Sequence, residues 1–388
     1  TTEIYTLSLH DALPIYARLN APLQMQLYIA LGVGLTFTMG PVDRTRMVLA
    51  RALEIAESLD DVDAQLRLLW CLCALYWDIG EPRAALTTAE RFTRVARRTG
   101  DAAVVLVGDR LIGTTLQTGG QQREARRSFE RVLDLYVTPD RRHTIWFHFD
   151  QRVLARAMLA RVLWLQGFAE QAGAQARMSL EDAQARGHLA SQLYTLVYAV
   201  CPISLMTGDF AGAERAVAML IDLATRHNAT YWRNVGRCLE AKLLIMRGEF
   251  GTGAALLRTA LDTCNATGWT MSYPEFLGVL AEARAALGQH TEALATVDNA
   301  LARAEDGGER WYFPELLRIK GELLLRGAGD RSPSPAEDCF LRAIDVAREQ
   351  GALFWELRAA LSLARLRVRQ DRPDDARALL APVYDRFT

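Results

Sequence analysis

Lysine is almost missing from this chain. Of 45 basic residues among 388, only Lys242 and Lys320 are lysine, and the rest are arginine. With abundant alanine, that bias fits a GC-rich bacterial coding sequence and carries no mechanism. Excess charge is missing too: 45 basic residues face 46 acidic ones, and pairs such as Arg97–Arg98, Arg126–Arg127 and Arg141–Arg142 are scattered. A nucleic-acid surface shows a basic stripe or patch, so no direct nucleic-acid partner is expected and the pairs read as solvated helix faces. The six cysteines form no C-x-x-C pair, which argues against a zinc or redox motif. They read as small buried hydrophobes in a reducing cytoplasm. The longest apolar runs, around Leu27–Met39 and Leu193–Met206, fall short of the ~20 residues that cross a bilayer, so no membrane partner is expected.

Catalytic phrases are missing as well. There is no G-x-x-x-x-G-K-[ST], no G-x-G-x-x-G after a strand, no H-E-x-x-H and no G-x-S-x-G. Without a phosphate loop, self-contained ATP hydrolysis of the common kind is excluded. His143, His148 and Asp150 stand close in sequence, but their spacings of five and two residues spread them around a helix. They read as a polar, capped helix start and not as a metal site, which wants i, i+4 histidines. The chain is expected to be non-enzymatic, with no catalytic residue, metal or cofactor.

Residues 1–15, TTEIYTLSLHDALPI, read codon for codon in one frame as a translated sequencing adapter. They are set aside as an artefact, as a processing segment would be. Residues 16–388 are taken as one helical repeat domain, expected to be a fragment truncated at both ends because neither end carries the polar cap a solenoid needs. Dropping Glu3 and Asp11 leaves 45 basic against 44 acidic residues, still near neutral.

What the chain does contain is a ladder. Glycine recurs at Gly40, Gly80, Gly120, Gly167, Gly208, Gly248 and Gly288, in steps of 40, 40, 47, 41, 40 and 40. Five residues after most of them stands a small residue: Ala85, Ala125, Ala172, Ala213, Gly253 and Ala293, continued by Ala336 and Ala376. The segment before each glycine, as in LRLLWCLCALYWDIG (66–80), repeats apolar residues every three or four positions, the signature of a helix with a wide buried face. Glycine then suits the left-handed end of that helix, and Pro41 and Pro82 open the next. Nine helical hairpins follow. The fold class is all-α, a right-handed superhelical solenoid. Extra residues in 137–152 and the Gly/Ser/Pro-rich stretch 327–338 mark loops.

Small, large and small residues at Ala336, Phe340 and Ala343, and at Ala293, Val297 and Ala300, resemble the second helix of a tetratricopeptide repeat. The step of about 40 exceeds the usual ~34 and is shared with HEAT and armadillo repeats. The glycine-turn-alanine phrasing fits the tetratricopeptide class better. Further phrases, HFDQRV (148–153), ARVLWLQG (160–167), CPISLMTGD (201–209), GERWYFPELLRIKGELLL (308–325), WELRAALSLARL (355–366) and LLAPVYDRFT (379–388), resemble the C-terminal repeat region of large bacterial ATP-binding regulators. The resemblance implies a parent with a winged-helix or cyclase domain first, a signal-transduction ATPase next, and this array last. It implies ATP only for the missing upstream domain. The implied partners are a protein or small-molecule effector in the concave groove, the ATPase domain in cis, and further copies of the parent in a homo-oligomer. A stand-alone tetratricopeptide adaptor is the alternative.

Aromatic and polar residues on the first helices are the candidate partner contacts. Trp232 and Trp355 each stand sixteen residues before a turn, at Gly248 and Asp371, and Tyr273 has nearly the same phase. Trp311 opens another first helix, and Asp150, Arg152, Arg233 and Arg318 complete the set. Trp, Tyr and Arg dominate interface hot spots. Residues that recur with the repeat are more often inter-repeat core, and that reading is favoured.

Overall fold

The structure is a computed structural model that describes residues 20–37, 42–136, 147, 149–268, 270–327 and 333–387. The adapter-like segment, Gly40, Pro41, His143 and His148 lie outside the described residues. Eighteen helices and no strand occur among those described. They are α1 (Ala21–Phe37), α2 (Val42–Ser58), α3 (Val62–Asp78), α4 (Pro82–Thr99), α5 (Ala102–Thr118) and α6 (Gln122–Asp134). Then come α7 (Gln151–Leu165), α8 (Ala169–Ala185), α9 (Leu189–Thr207), α10 (Phe210–Arg226), α11 (Thr230–Met246) and α12 (Phe250–Thr267). The last six are α13 (Tyr273–Ala286), α14 (His290–Gly307), α15 (Phe313–Gly327), α16 (Ser334–Gln350), α17 (Leu353–Arg369) and α18 (Pro373–Tyr384). Odd-numbered helices are the first members of nine hairpins, and even-numbered helices the second.

Both sequence ladders have a structural cause. Every described ladder glycine has positive φ, from 73° at Gly80 to 95° at Gly120, and Asp371 takes their place in the last hairpin at 56°. At Gly120 the demand is double, because a Cβ there would also stand 2.8 Å from Nε2 of Gln350. The small residues let paired helices touch: Ala85, Ala125, Ala172, Ala213 and Ala293 are fully buried. At Gly253 a Cβ would lie 2.6 Å from Cγ1 of Ile245 and 3.0 Å from the Ala241 carbonyl. Large residues four further on fill the gap so opened. Phe129 packs over Gly113 and Phe340 over Gly321, each leaving no room for a Cβ on the first helix. Aspartates Asp61, Asp101 and Asp150 cap α3, α5 and α7 by accepting from free amides of the first turn, a contribution of about 1 kcal/mol each.

A second ladder runs half a step out of phase. Asp60, Gly100, Gly187, Asn228, Gly268, Gly308 and Gly351 also have positive φ and close the turns between hairpins. Both ladders lengthen to 41 across one shared element, from Gly167 to Gly208 and from Gly187 to Asn228. That element is α9, where Leu196–Val200 forms a π turn and the Cys201 amide donates to the Leu196 carbonyl. Pro202 has no N–H to give the Tyr198 carbonyl four residues back. The ladder takes up one extra residue there, as a π bulge does.

The helix α9 is also a correction to the apolar-run reading. Its 19 residues are long and apolar enough to cross a membrane by length and composition, and 67% of that window is buried within the fold. Here it is the first helix of the fifth hairpin, packed against α7, α8, α10 and α11. The cysteines follow the composition argument: Cys71, Cys73, Cys201 and Cys238 are buried, and none of the six is in a disulfide among the described residues.

The superhelix meets itself after five hairpins. The carbonyl of Asp78, at the end of α3, accepts from the amides of Thr270 and Met271, both at 3.0 Å. One repeat on, the carbonyl of Thr118, at the end of α5, accepts from Arg310 at 2.9 Å and Trp311 at 3.1 Å. A third rung is apolar, with Trp164 of α7 edge-on to Phe354 of α17 at 5.3 Å. Two bodies of buried apolar residues result, one from α1 to α5 and one from α6 to α18. Trp77, Phe149 and Tyr231 pack against both.

Candidate functional site

Those three bridging aromatics line a cavity of about 230 Å³. Its wall comes almost entirely from first helices: Trp70, Cys73, Trp77 and Asp78 on α3, Arg110, Thr114 and Thr115 on α5, and Leu154 on α7. First helices also contribute Leu193, Tyr194 and Tyr198 on α9 and Tyr231 and Trp232 on α11, and Phe149 adds to the wall from just before α7. First helices line the inside of the superhelix, so the cavity is the deep part of its concave face. The π turn adjoins it: Tyr194 and Tyr198 lie tilted at 53° with ring centroids 4.4 Å apart, and Trp77 lies 5.2 Å from Tyr198. Trp232 stands roughly edge-on to both tyrosines at 6.3–6.4 Å. Tilted and edge-on pairs at these separations are the favoured aromatic geometries.

Two charged groups interrupt the aromatic wall. Arg110 is 4% exposed, and its Nε donates to Oε1 of Gln151 at 3.0 Å. Its Nη2 has no hydrogen-bond partner among the described residues. Burial pulls its pKa down, against nearby Tyr194 and Cys73. Asp78 also lines the cavity, and loss of water raises its carboxyl to about 8. Among the described residues no ion pair joins the two. Burial also lifts the Cys73 thiol to about 12, so it stays protonated and is no nucleophile at neutral pH.

The cavity is wired to the seam where the superhelix meets itself. Trp77 turns its ring to the cavity and donates through Nε1 to Oγ1 of Thr118 at 2.8 Å. Thr118 is the residue whose carbonyl holds Arg310 and Trp311. Beneath the seam, Glu309 accepts from Nε1 of Trp311 at 3.1 Å and from the Ser272 amide at 3.2 Å. Burial raises its carboxyl to about 7. Arg161 covers the Trp311 ring at 4.2 Å.

Of the eight residues singled out in the sequence, Trp232 alone lines the cavity. Trp311 and Trp355 are inside the protein, joined by the Trp355 Nε1 bond to the Trp311 carbonyl at 3.0 Å. Tyr273 is buried under Arg303, whose guanidinium lies 4.8 Å from the ring. Asp150 caps α7 and pairs with Arg186 at 3.0 Å. Arg318 is buried between Glu315 and Glu282, at 2.8 and 2.9 Å. Arg152 packs over the Tyr136 ring, and Arg233 is half-buried on α11. Trp311, Trp355, Tyr273, Asp150 and Arg318 are thus buried and engaged within the fold. The residues the sequence reading missed are Trp70, Trp77, Asp78, Arg110, Phe149, Tyr194, Tyr198 and Tyr231.

No family model matches the chain. An uncharacterised protein of Rhizobium meliloti (strain 1021) is 25% identical over 249 residues, covering 64% of this chain and 24% of that protein. The chain thus spans about a quarter of that relative's length. Among solved structures, a Rap protein complexed with competence and sporulation factor is similar at TM-score 0.60 and 12% identity, over 94% of this chain and 98% of that one. A signal transduction ATPase with numerous domains and a tetratricopeptide repeat sensor, from Pyrococcus horikoshii, is similar at TM-score 0.48 and 11% identity, over 93% of this chain and 52% of that one. The first likeness shows the fold: this chain is an all-α, tetratricopeptide-like helical solenoid.

Proposed function

We propose that this chain is the non-catalytic sensing and interaction region of a bacterial ATP-binding signal-transduction or transcriptional regulator. A ligand or partner segment occupies the aromatic cavity, and the missing ATPase domain acts in cis. The observation that carries this reading is the place of the cavity. Its wall bridges the two core bodies, and Trp77 and Asp78 belong both to that wall and to the seam. An occupant that fits only one arrangement of the two bodies would shift the superhelix between arrangements, since a shift requires differential binding. Two comparisons support this: a solenoid of the same fold complexed with a factor, and a relative about four times longer than the matched stretch.

The test is long-read resequencing of the genomic locus across the codon for Tyr16. The expected result is a reading frame that continues upstream into a phosphate-loop ATPase. A start codon immediately before Tyr16 would overturn the regulator reading and leave a stand-alone tetratricopeptide adaptor.

A further inference from the structure

Resting on the sensing reading above, we infer that the cavity takes a small apolar monocarboxylate, whose carboxylate is held by Arg110 and whose body lies among Trp70, Trp77, Tyr194, Tyr198 and Trp232. Arg110 is the reason. A guanidinium keeps its charge in proteins and offers five N–H donors in a planar fork. Here it lines the cavity at 4% exposed, its Nε is used on the neutral Gln151, and its Nη2 has no hydrogen-bond partner among the described residues.

Several other buried charges in this protein meet opposite charges, while Arg161, equally buried and without an ion pair among the described residues, lies over the Trp311 ring. Lys242 meets Glu275 at 2.7 Å, Arg318 and Arg358 converge on Glu315, and Arg348 and Arg386 converge on Glu356. Arg110 forms no ion pair among the described residues, and a buried charge without a counter-ion is strongly disfavoured. An incoming carboxylate supplies that counter-ion and can bind the fork through two parallel bonds. The rest of the wall selects the body. Seven aromatic rings dominate the wall and suit an apolar body better than a sugar or a polyphosphate, and one cationic side chain suits one carboxylate. Asp78, also in the wall, is a second hydrogen-bonding point for a neutral polar group on the ligand.

The experiment uses the full chain and matched probe pairs: 4-phenylbutyrate with 4-phenylbutanamide, and indole-3-acetate with indole-3-acetamide. Binding is read by calorimetry, and for the phenyl pair also by tryptophan fluorescence, since Trp70, Trp77 and Trp232 line the site. Each carboxylate is expected to bind at least tenfold tighter than its amide and to raise Tm more. In Arg110→Gln the ratio is expected to fall to about one, with Tm equal to or above wild type, because an unpaired buried charge has been removed. Arg110→Lys keeps the charge without the fork, and an intermediate ratio is expected.

Equal binding of acid and amide to the wild-type chain would overturn the carboxylate assignment while leaving the cavity a ligand site. A carboxylate preference that survives in Arg110→Gln would overturn the role of Arg110. No binding of any probe at millimolar concentration, with no fluorescence change, would overturn both the assignment and the cavity reading. If Arg110→Gln does not fold, the wild-type ratio and the Arg110→Lys ratio decide the same question.

Discussion

Single residues in this protein hold protons against their ordinary chemistry, and that makes stability depend on pH. Burial raises Asp78 to about 8 and Glu309 to about 7, from 3.8 and 4.5. The folded state therefore binds protons more tightly than the unfolded chain, and stability falls as pH rises through that window. Their contribution is complete below about pH 4 and gone by about pH 8. Glu315 works in the opposite sense. Burial alone would raise it, but Arg318 and Arg358 overcome burial and hold it at about 2, so its contribution is lost only in acid. Denaturant melts at pH 6.5 and 8.5 are expected to show a less stable wild type at the higher pH. An Asp78→Asn, Glu309→Gln double variant should lose most of that difference; an unchanged difference would contradict these assignments. The buried Lys242–Glu275 pair is a second residue-scale case. Lys242→Met should destabilise by about 3–5 kcal/mol, because it strands a buried carboxylate; chemical denaturation measures it.

Elements of this fold are defined by where helices stop and how closely they pack. Gly120→Ala and Gly208→Ala both force alanine into positive φ, a cost of about 1–2 kcal/mol. Only Gly120 also meets a neighbour, Gln350 at 2.8 Å, whereas nothing lies within 4 Å of a Cβ at Gly208. Thermal melts should therefore rank Gly120→Ala as the more damaging, and the reverse order would contradict the packing argument. Phe340→Ala, which empties the space above Gly321, should cost about 3–5 kcal/mol. The turn ladder was legible in the sequence because glycine at positive φ leaves a spaced mark. The half-step ladder was harder to see, since Asp60 and Asn228 serve in it without being glycine. The π turn left two marks, the 41-residue step and Pro202 inside an apolar helix.

At the scale of the molecule, the fold was legible and most of the site was not. Both faces of a first helix are apolar, one against its own hairpin and one toward the superhelix axis. Three- and four-residue spacing cannot tell these faces apart, so Trp77, Tyr194 and Tyr198 read as core. Trp355 has the same phase as Trp232 and Trp311 opens a first helix, but both lie where the superhelix closes and are buried there. That closure pairs residues 192 apart, Asp78 with Thr270 and Thr118 with Arg310, a separation that no local pattern encodes. The same closure ties the cavity to the seam through Trp77 and Thr118. The most direct test of that tie is amide hydrogen exchange at Arg310 and Trp311 in the full chain, compared between wild type and Trp77→Phe. The substitution removes the Nε1 bond to Thr118 from a cavity-lining ring more than 230 residues upstream. Faster exchange at those two amides, with α10 unchanged, is the expected result, since local opening reports local stability. Exchange that stays at the wild-type rate would mean that the cavity and the seam are independent, and the sensing account would fail.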